Sequence, residues 1–518
     1  MFSFAIVTLG CKANQYDAAA LAEALTRLGG RLLENASDAS PNPQTAPNLI
    51  VISTCCVTAT AMHKSRQAVR RAARRWNDAS LLVTGCYSDY DRRRVWQLLR
   101  DQGLPASRCV VAGHHDDLDQ AARQAIALVP CQRTLDACHP QAESLPLGGA
   151  AAFEEHPQAK GRLGGGTQTH QFISDETQIK SVAAPENIRS RRLDAIRRRA
   201  PGAEPLPSIA RFPGHQRAFV KIQDGCDAFC AYCIVPYTRP RVWSRSIEQV
   251  VAECRQLARA GHREVVLSGV FLGAFGRATA IRRRWDNAPP ALAELLRRLG
   301  KIEGLWKIRL SSLEPLDADG PLLDAAAGLP NFAPHFHLPL QSGSEKILRR
   351  MNRQYTPEQF RQAVARIRER FDRPALTADV IVGFPGEDED DFARTLEMAR
   401  FAGFSKMHAF PFSAIEGTAA WTYKDEAPPP QIVRRRMNSL AALERELAGD
   451  YRRQFVGQVL EALVEQPDDD SRPAAGPGRQ AMTDRYLTVR FDGDVAAGQV
   501  VALKITGAGA KHLVGRLA

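Results

Sequence analysis

The chain has 518 residues, which at about 150 residues per domain corresponds to roughly three domains. Lys and Arg number 69 against 57 Asp and Glu, so the net charge is +12, which favours a polyanionic partner such as RNA without proving one. With 44% hydrophobic and 24% charged residues, the composition excludes a fibrous or wholly disordered chain.

The sequence shows no sign of membrane insertion or export. No stretch of about 18 uncharged apolar residues occurs, which argues against a transmembrane helix. The apolar residues 1–10 follow no basic region and lead directly into Cys11 and Lys12, so they are typical of a first strand rather than a signal peptide. We therefore expect a cytoplasmic protein whose eleven cysteines are reduced and serve in metal binding, catalysis or packing.

Short apolar runs alternate with helical periods over residues 1–130, and this alternation predicts an α/β domain with a parallel sheet. The predicted strands are 4–9, 49–52, 81–84 and 110–112, and the clearest predicted helices are 17–28 and 61–76. Residues 131–212 lack this alternation and contain a glycine triplet, scattered prolines and a basic run. They predict a linker or insertion that is largely disordered, with one short helix near 188–199.

Regular alternation returns in residues 213–448. Six strand–helix units predict a partial or complete parallel (β/α) barrel, with a doubly wound open sheet as the alternative. Residues 449–518 predict a small antiparallel β-barrel, reached through a long helix at 430–455. The predicted strands of these two parts are 218–223, 264–267, 306–311, 335–340, 377–382 and 406–410, then 460–465, 486–491, 500–506 and 512–516. The predicted barrel helices are 247–260, 291–299, 357–371 and 390–402.

The most specific motif is a C-x3-C-x2-C cluster at Cys226, Cys230 and Cys233, just after the first predicted barrel strand. Thiolates select iron–sulfur clusters, zinc or copper(I), and this close spacing lets one loop surround a single centre. A four-iron cube held by three cysteines keeps one iron free for another ligand. The alternative is a structural zinc knuckle, which needs a fourth ligand, and no histidine lies at a finger-like spacing from Cys233.

A second set of cysteines, Cys11, Cys55 and Cys86, is scattered in sequence, yet each follows a predicted strand of the first domain. Loops after parallel strands share one sheet edge, so we expect these thiols to face one site. Cys56 neighbours Cys55 and could substitute for it. For the others, burial as a small apolar residue is the favoured interpretation: Cys109, Cys131, Cys138 and Cys254.

Together these residues resemble the methylthiotransferase branch of the radical S-adenosylmethionine (SAM) enzymes. The C-x3-C-x2-C spacing matches the SAM-cluster motif of that family, and three N-terminal segments resemble its auxiliary-cluster segments. The matching stretches are TLGCKANQY (8–16), STCCVT (53–58), VTGCY (83–87), AFVKIQDG (218–225), HLPLQSGS (337–344) and DVIVGFPGE (379–387). Residues 9–16 and RLSSLEP (309–315) resemble the members that act on threonylcarbamoyladenosine in tRNA.

The resemblance implies two 4Fe-4S clusters, with SAM as both radical source and methyl donor. Cys226, Cys230 and Cys233 would hold the catalytic cluster, which generates a 5′-deoxyadenosyl radical, and the N-terminal triad would hold the cluster that supplies sulfur. The implied product is a tRNA in which adenosine 37, beside the anticodon, carries a methylthio group at C2. The protein itself would position the reacting groups and exclude water and oxygen from the site. An electron donor and a sulfur source, both unidentified, are also implied.

Further contacts follow from the same resemblance. Tyr232, Gly269, Gln341 and Asp379 are candidate SAM or substrate contacts, although turn geometry, a satisfied amide or a paired strand residue would also explain the last three. Residues 449–518 resemble a TRAM domain, which would bind RNA phosphates, and no membrane partner is expected.

The basic run from Lys64 to Arg75 places Arg66, Arg70 and Arg74 on one helix face. This face is a candidate RNA contact, with a merely solvated face as the alternative.

The sequence departs from the family at two positions. Ile415 replaces a usual arginine, and Pro240 follows Arg239 where glycine is usual, which leaves Arg241, Arg245 and Arg309 as candidate anion contacts. We therefore retain two rival substrates, isopentenyladenosine 37 and a ribosomal-protein aspartate. A rival of another class is a non-catalytic, metal-containing RNA-binding protein.

Overall fold

The structure is a computed structural model that describes residues 2–33, 46–114, 116–129, 208–212, 216–466 and 478–518. The predicted helix near 188–199, Cys131, Cys138 and nearly all of the predicted 131–212 insertion lie outside the described residues. At the end of that segment, Ile209 and Phe212 are buried in the core of the central domain. None of the helices in the described part of the chain is both long and apolar enough to cross a lipid bilayer.

The N-terminal domain is a five-stranded parallel sheet with the strand order β2-β1-β3-β4-β5. Strands β3 and β4 are buried along their whole length, as expected for central strands covered by helices on both faces. The predicted strands are confirmed, and the short edge strand β2 was not predicted. The elements are β1 Phe2–Thr8, α1 Lys12–Arg27, β2 Gly30–Leu32, β3 Leu49–Thr54, α2 Ala59–Arg75, β4 Ser80–Gly85, α3 Cys86–Tyr90, α4 Arg92–Asp101, β5 Cys109–Val111 and α5 Leu118–Ala127.

The central domain contains six parallel strands in two three-stranded sheets, β10-β9-β6 and β11-β12-β13. Isolated parallel bridges from Ile308 to Phe332 and from Ser312 to His337 join the sheets, so the six strands form the predicted partial barrel. The six strands are β6 Arg217–Lys221, β9 Glu264–Ser268, β10 Lys307–Leu310, β11 His335–His337, β12 Ala375–Val382 and β13 Lys406–Pro411. Two short strands, β7 Gln223–Asp224 and β8 Trp243–Ser244, form a separate antiparallel pair.

Helices cover the outside of this partial barrel, and N-terminal capping boxes at Ser246, Thr356 and Asp388 fix where three of them begin. The helices are α6 Val235–Thr238, α7 Ile247–Arg259, α8 Ala291–Leu299, α9 Gly320–Ala327, α10 Glu345–Arg350, α11 Pro357–Arg370, α12 Glu389–Ala402 and α13 Pro430–Arg453. Short 3-10 turns lie at Ala106–Arg108, Leu272–Ala274, Arg282–Arg284, Pro315–Asp317 and Ala419–Glu426.

The C-terminal domain is a small closed barrel with the strand order β14-β15-β16-β18-β17. The prediction of a small barrel is confirmed, but the prediction that all its strands pair antiparallel is wrong, because β16 and β18 are parallel. Strand β15 was not predicted. The strands are β14 Val459–Val464, β15 Arg479–Thr483, β16 Thr488–Phe491, β17 Val500–Ala508 and β18 Leu513–Leu517.

Candidate active site

The three N-terminal cysteines converge at one sheet edge. Cys11, Cys55 and Cys86 follow the ends of the neighbouring strands β1, β3 and β4. Gly10 has φ +107°, and a Cβ at this position would lie 3.0 Å from Cys55 Sγ, so the loop after β1 closes directly over the loop after β3. The structure therefore brings these three residues together, as the sequence predicts.

Polar side chains hold the first triad in place. Asn14 Nδ2 donates to the carbonyl oxygens of Leu9 at 2.7 Å and Thr54 at 2.9 Å, which joins the first two loops. On helix α2, Ser65 Oγ accepts from the backbone N–H of Cys55 at 2.9 Å and donates to its carbonyl at 2.8 Å. These bonds satisfy buried backbone groups where the sheet ends.

The thiols of this triad influence one another. Burial raises the pKa of Cys55 to about 12, and the charges of Cys86 and Cys11 add to the shift. A hydrogen bond with Cys56, followed by the charges of Arg239 and His114, lowers the pKa of Cys86 well below its usual range against the effect of burial. Three crowded thiols resist ionising together unless a cation compensates them, which fits a metal cluster as the occupant.

The second triad lies on the loop between β7 and α6. Cys226 is buried, whereas Cys230 and Cys233 are half-buried. Burial and the charge of Cys230 raise the pKa of Cys226, so these thiols also share one site. Asp227, between them in sequence, accepts hydrogen bonds from Thr279 Oγ1 and the backbone N–H of Ala280, both at 2.6 Å, which anchors the loop to the segment after β9.

A buried cation contacts the second triad. Arg353 Nη1 donates to Cys230 Sγ at 3.3 Å and to the Tyr232 hydroxyl at 3.4 Å, while its Nη2 donates to Glu314 Oε1 at 2.6 Å. The guanidinium thus places a positive charge beside the sulfur of Cys230. Sequence reasoning missed both Arg353 and the role of Glu314, because they are far from the cysteines along the chain.

The two triads lie near each other across the domain boundary. Burial and Cys230 raise the pKa of Cys233 to about 12, and the charge of Cys86, from the other triad, contributes to this shift.

Among the described residues, no three His, Cys, Asp or Glu side chains surround a point where a single metal ion could bind.

The four other predicted contacts lie on loops and strands of the central domain. Tyr232 is half-buried with its ring edge against Phe384, and Gly269 directly follows β9. Gln341 has φ +56°, and its buried Oε1 accepts no hydrogen bond from any described residue. Asp379 lies within β12, and its carboxylate is 3.2 Å from His337 Nε2. Gln341 thus keeps a free acceptor, while Asp379 already has a partner.

Two candidate anion contacts are occupied by partners within the protein. Arg309 and Glu264 form a fully buried ion pair at 2.6 Å, and the buried Arg245 pairs with Glu253. Arg309 and Arg245 are thus already paired with carboxylates of the protein, whereas Arg241 is exposed.

Ile415 and three cysteines outside the two triads are all buried. Ile415 is buried in the N-terminal core together with Ile234, so an apolar contact occupies the place of the usual arginine. Cys109 and Cys254 are buried among apolar residues as expected. Cys56 is also buried, and its thiol forms a hydrogen bond with the thiol of Cys86.

The comparisons with known proteins agree with this architecture. The radical SAM superfamily model matches residues 220–399, and the model described as uncharacterized protein family UPF0004 matches residues 3–103. The combination defines a radical SAM enzyme with a second N-terminal domain.

Three curated relatives are similar along most of the chain. The threonylcarbamoyladenosine tRNA methylthiotransferase MtaB of Chlamydia pneumoniae is 31% identical over 463 residues, covering 89% of this chain and 87% of that protein. MtaB of Bacillus subtilis (strain 168) is 29% identical, covering 98% and 95%. A tRNA-2-methylthio-N(6)-dimethylallyladenosine synthase of Carboxydothermus hydrogenoformans is 30% identical, covering 99% of both. The chain belongs to the radical SAM tRNA methylthiotransferase family.

Proposed function

We propose that this transferase replaces the hydrogen at C2 of N6-threonylcarbamoyladenosine 37 of tRNA with a methylthio group. One SAM would be the radical source, a second SAM would donate the methyl group, and two 4Fe-4S clusters would take part. The convergence of two cysteine triads on facing loops carries this proposal, because a single-cluster radical enzyme has no use for the N-terminal triad.

The residues fit two clusters by their chemistry. Each triad offers three soft thiol ligands on short loops and leaves one iron of a cube without a protein ligand. When bound, the cluster at Cys226, Cys230 and Cys233 supplies the electron for reductive cleavage of SAM. The chain itself holds the two loops, and Arg353 places positive charge beside Cys230.

Lys12 supports a substrate that carries a carboxylate. It begins α1 directly after Cys11, and within the described residues its amine forms no hydrogen bond or ion pair. Burial, then the positive charges of Arg309 and Arg217, lower the pKa of Lys12 to about 8. A half-buried amine with no ion-pair partner among the described residues favours an anionic ligand, and threonylcarbamoyladenosine has a carboxylate where isopentenyladenosine has an apolar group.

Helix α2 supports binding to the tRNA backbone near the anticodon. Its 17 residues include six lysines and arginines and no acidic residue, and it starts three residues after Cys56. Lys64, Arg71 and Arg74 are exposed on its surface. Exposed basic side chains of this kind neutralise phosphates and give salt-dependent affinity.

Nucleoside analysis by mass spectrometry tests the product directly. A deletion strain without a redundant enzyme should lose 2-methylthio-N6-threonylcarbamoyladenosine, and retention of that nucleoside would contradict the proposal. The dimethylallyladenosine synthase relative, similar over the whole chain, favours isopentenyladenosine as the second candidate substrate. Loss of the methylthiolated isopentenyl nucleoside in the same sample would establish that alternative.

A further inference from the structure

Arg239 lies between the two triads and is 5% exposed. Its guanidinium donates two hydrogen bonds of 2.7 Å to Asp224 and one of 2.7 Å to Asp17 Oδ2. Asp224 lies two residues before Cys226, whereas Asp17 lies on α1, which begins directly after Cys11. One guanidinium therefore joins the segments that carry the first cysteine of each triad.

Further contacts of Arg239 reach the cysteines themselves. Its carbonyl oxygen accepts from the backbone N–H of Cys226 at 3.0 Å. Its Nη2 lies 2.8 Å from His114 Nε2, which in turn lies 3.4 Å from Cys86 Sγ. A continuous chain of short polar contacts thus runs from a ligand candidate of one triad to a ligand candidate of the other.

Lys221 completes a buried network of two cations and two carboxylates. Its amine binds Asp17 and lies 2.7 Å from Asp224 Oδ2, and the four side chains are at most 10% exposed. Although burial opposes ionisation, Lys221 and Arg239 hold the pKa of Asp17 below its ordinary value. Such a network is stable in one geometry, because each buried charge must be paired with the opposite charges around it.

We propose that Arg239 is a positioning residue that fixes the separation and orientation of the two cysteine triads. The inference rests on the proposed two-cluster function. Sulfur held at the N-terminal triad must reach the carbon activated at the other triad, so an error in their separation reduces sulfur insertion more than it reduces SAM cleavage.

The test compares Arg239→Gln, Arg239→Lys and wild-type enzyme after anaerobic reconstitution. Three quantities are measured: iron per chain, the spin–spin interaction of the two reduced clusters by electron paramagnetic resonance, and the ratio of methylthiolated nucleoside to 5′-deoxyadenosine. In Arg239→Gln we expect both clusters to be present, the spin interaction to change, and the product ratio to fall by about 100-fold, as for a small misplacement of reacting groups. Arg239→Lys should restore part of the ratio.

Arg361→Gln is the matched control, since Arg361 forms an exposed 2.7 Å ion pair with Glu397 away from the triads. It should behave as wild type. If Arg239→Gln does not fold or bind iron, Asp17→Asn gives the same readouts while leaving the Arg239–Asp224 bonds in place. A wild-type product ratio and spin interaction in the folded variant would overturn the positioning role. Failure of wild-type enzyme to bind two clusters or form a methylthiolated nucleoside would instead overturn the proposed function.

Discussion

Replacing Arg309 with methionine should release the C-terminal barrel from the central domain. The Arg309 guanidinium lies 3.7 Å from the centre of the Tyr486 ring and donates to the Asp484 carbonyl at 2.7 Å, both in the barrel. On its other side it binds Glu264 at 2.6 Å, and both side chains of this pair are 0% exposed. Arg309→Met therefore leaves the carboxylate of Glu264 buried without its partner.

The cost follows from these contacts. Removing one partner of a buried ion pair destabilises by about 3–5 kcal/mol. The lost cation–π contact is worth about 2 kcal/mol where it is desolvated, but the two losses overlap and should not be added. A total loss of about 3 kcal/mol corresponds to a roughly 100-fold rise in the population of molecules in which the barrel has separated from the central domain at Arg309.

Hydrogen exchange measured by mass spectrometry reports this opening. In Arg309→Met, amides of residues 483–488, where the barrel meets Arg309, should exchange about 100-fold faster than in wild type. Arg361→Met, which breaks an exposed ion pair, should cost at most about 1 kcal/mol and leave these amides unchanged. Equal exchange in Arg309→Met and wild type would refute the docking role. Restored protection in a double variant that also carries Glu264→Leu would assign the loss to the unpaired Glu264 carboxylate instead of to the contacts between Arg309 and the barrel.

Three further predictions concern the site. Cys55→Ala should leave SAM cleavage detectable and stop sulfur insertion, while the matched buried variant Cys109→Ala should retain both activities. Full product formation by Cys55→Ala would contradict the role of Cys55 as a cluster ligand. Lys12→Gln should weaken use of threonylcarbamoyladenosine tRNA by about 10-fold in kcat/KM, the effect of one lost charge-assisted bond, and an unchanged value would argue against carboxylate recognition. Arg71→Glu with Arg74→Glu should weaken tRNA binding and flatten its salt dependence in filter binding, and a wild-type slope would exclude α2 from the RNA interface.

Much of the architecture could be predicted because parallel sheets impose simple rules. Three cysteines after three strand ends must meet at one edge, and the structure brings Cys11, Cys55 and Cys86 together there. The strands missed in the N-terminal and C-terminal domains are short or lie beside the undescribed segment at 467–477. Neither β2 nor β15 has a long apolar run to identify it.

The electrostatics of the site could not be predicted in the same way. Arg239 meets Asp17 only because two domains separated by more than 80 residues of chain pack together. His114 follows β5 and meets Cys86 within the N-terminal domain, but no local sequence pattern marks that contact. Arg309 was a candidate anion contact, but no local pattern in the sequence reveals that Glu264 and the C-terminal barrel enclose it.

The claim that each triad holds its own cluster is tested most directly by counting iron and sulfide in a triple variant. Anaerobically reconstituted wild-type enzyme should contain about eight irons per chain, and the variant with Cys226, Cys230 and Cys233 all changed to alanine should keep about four. A triple variant without iron, or a wild-type enzyme with only about four irons, would contradict the claim.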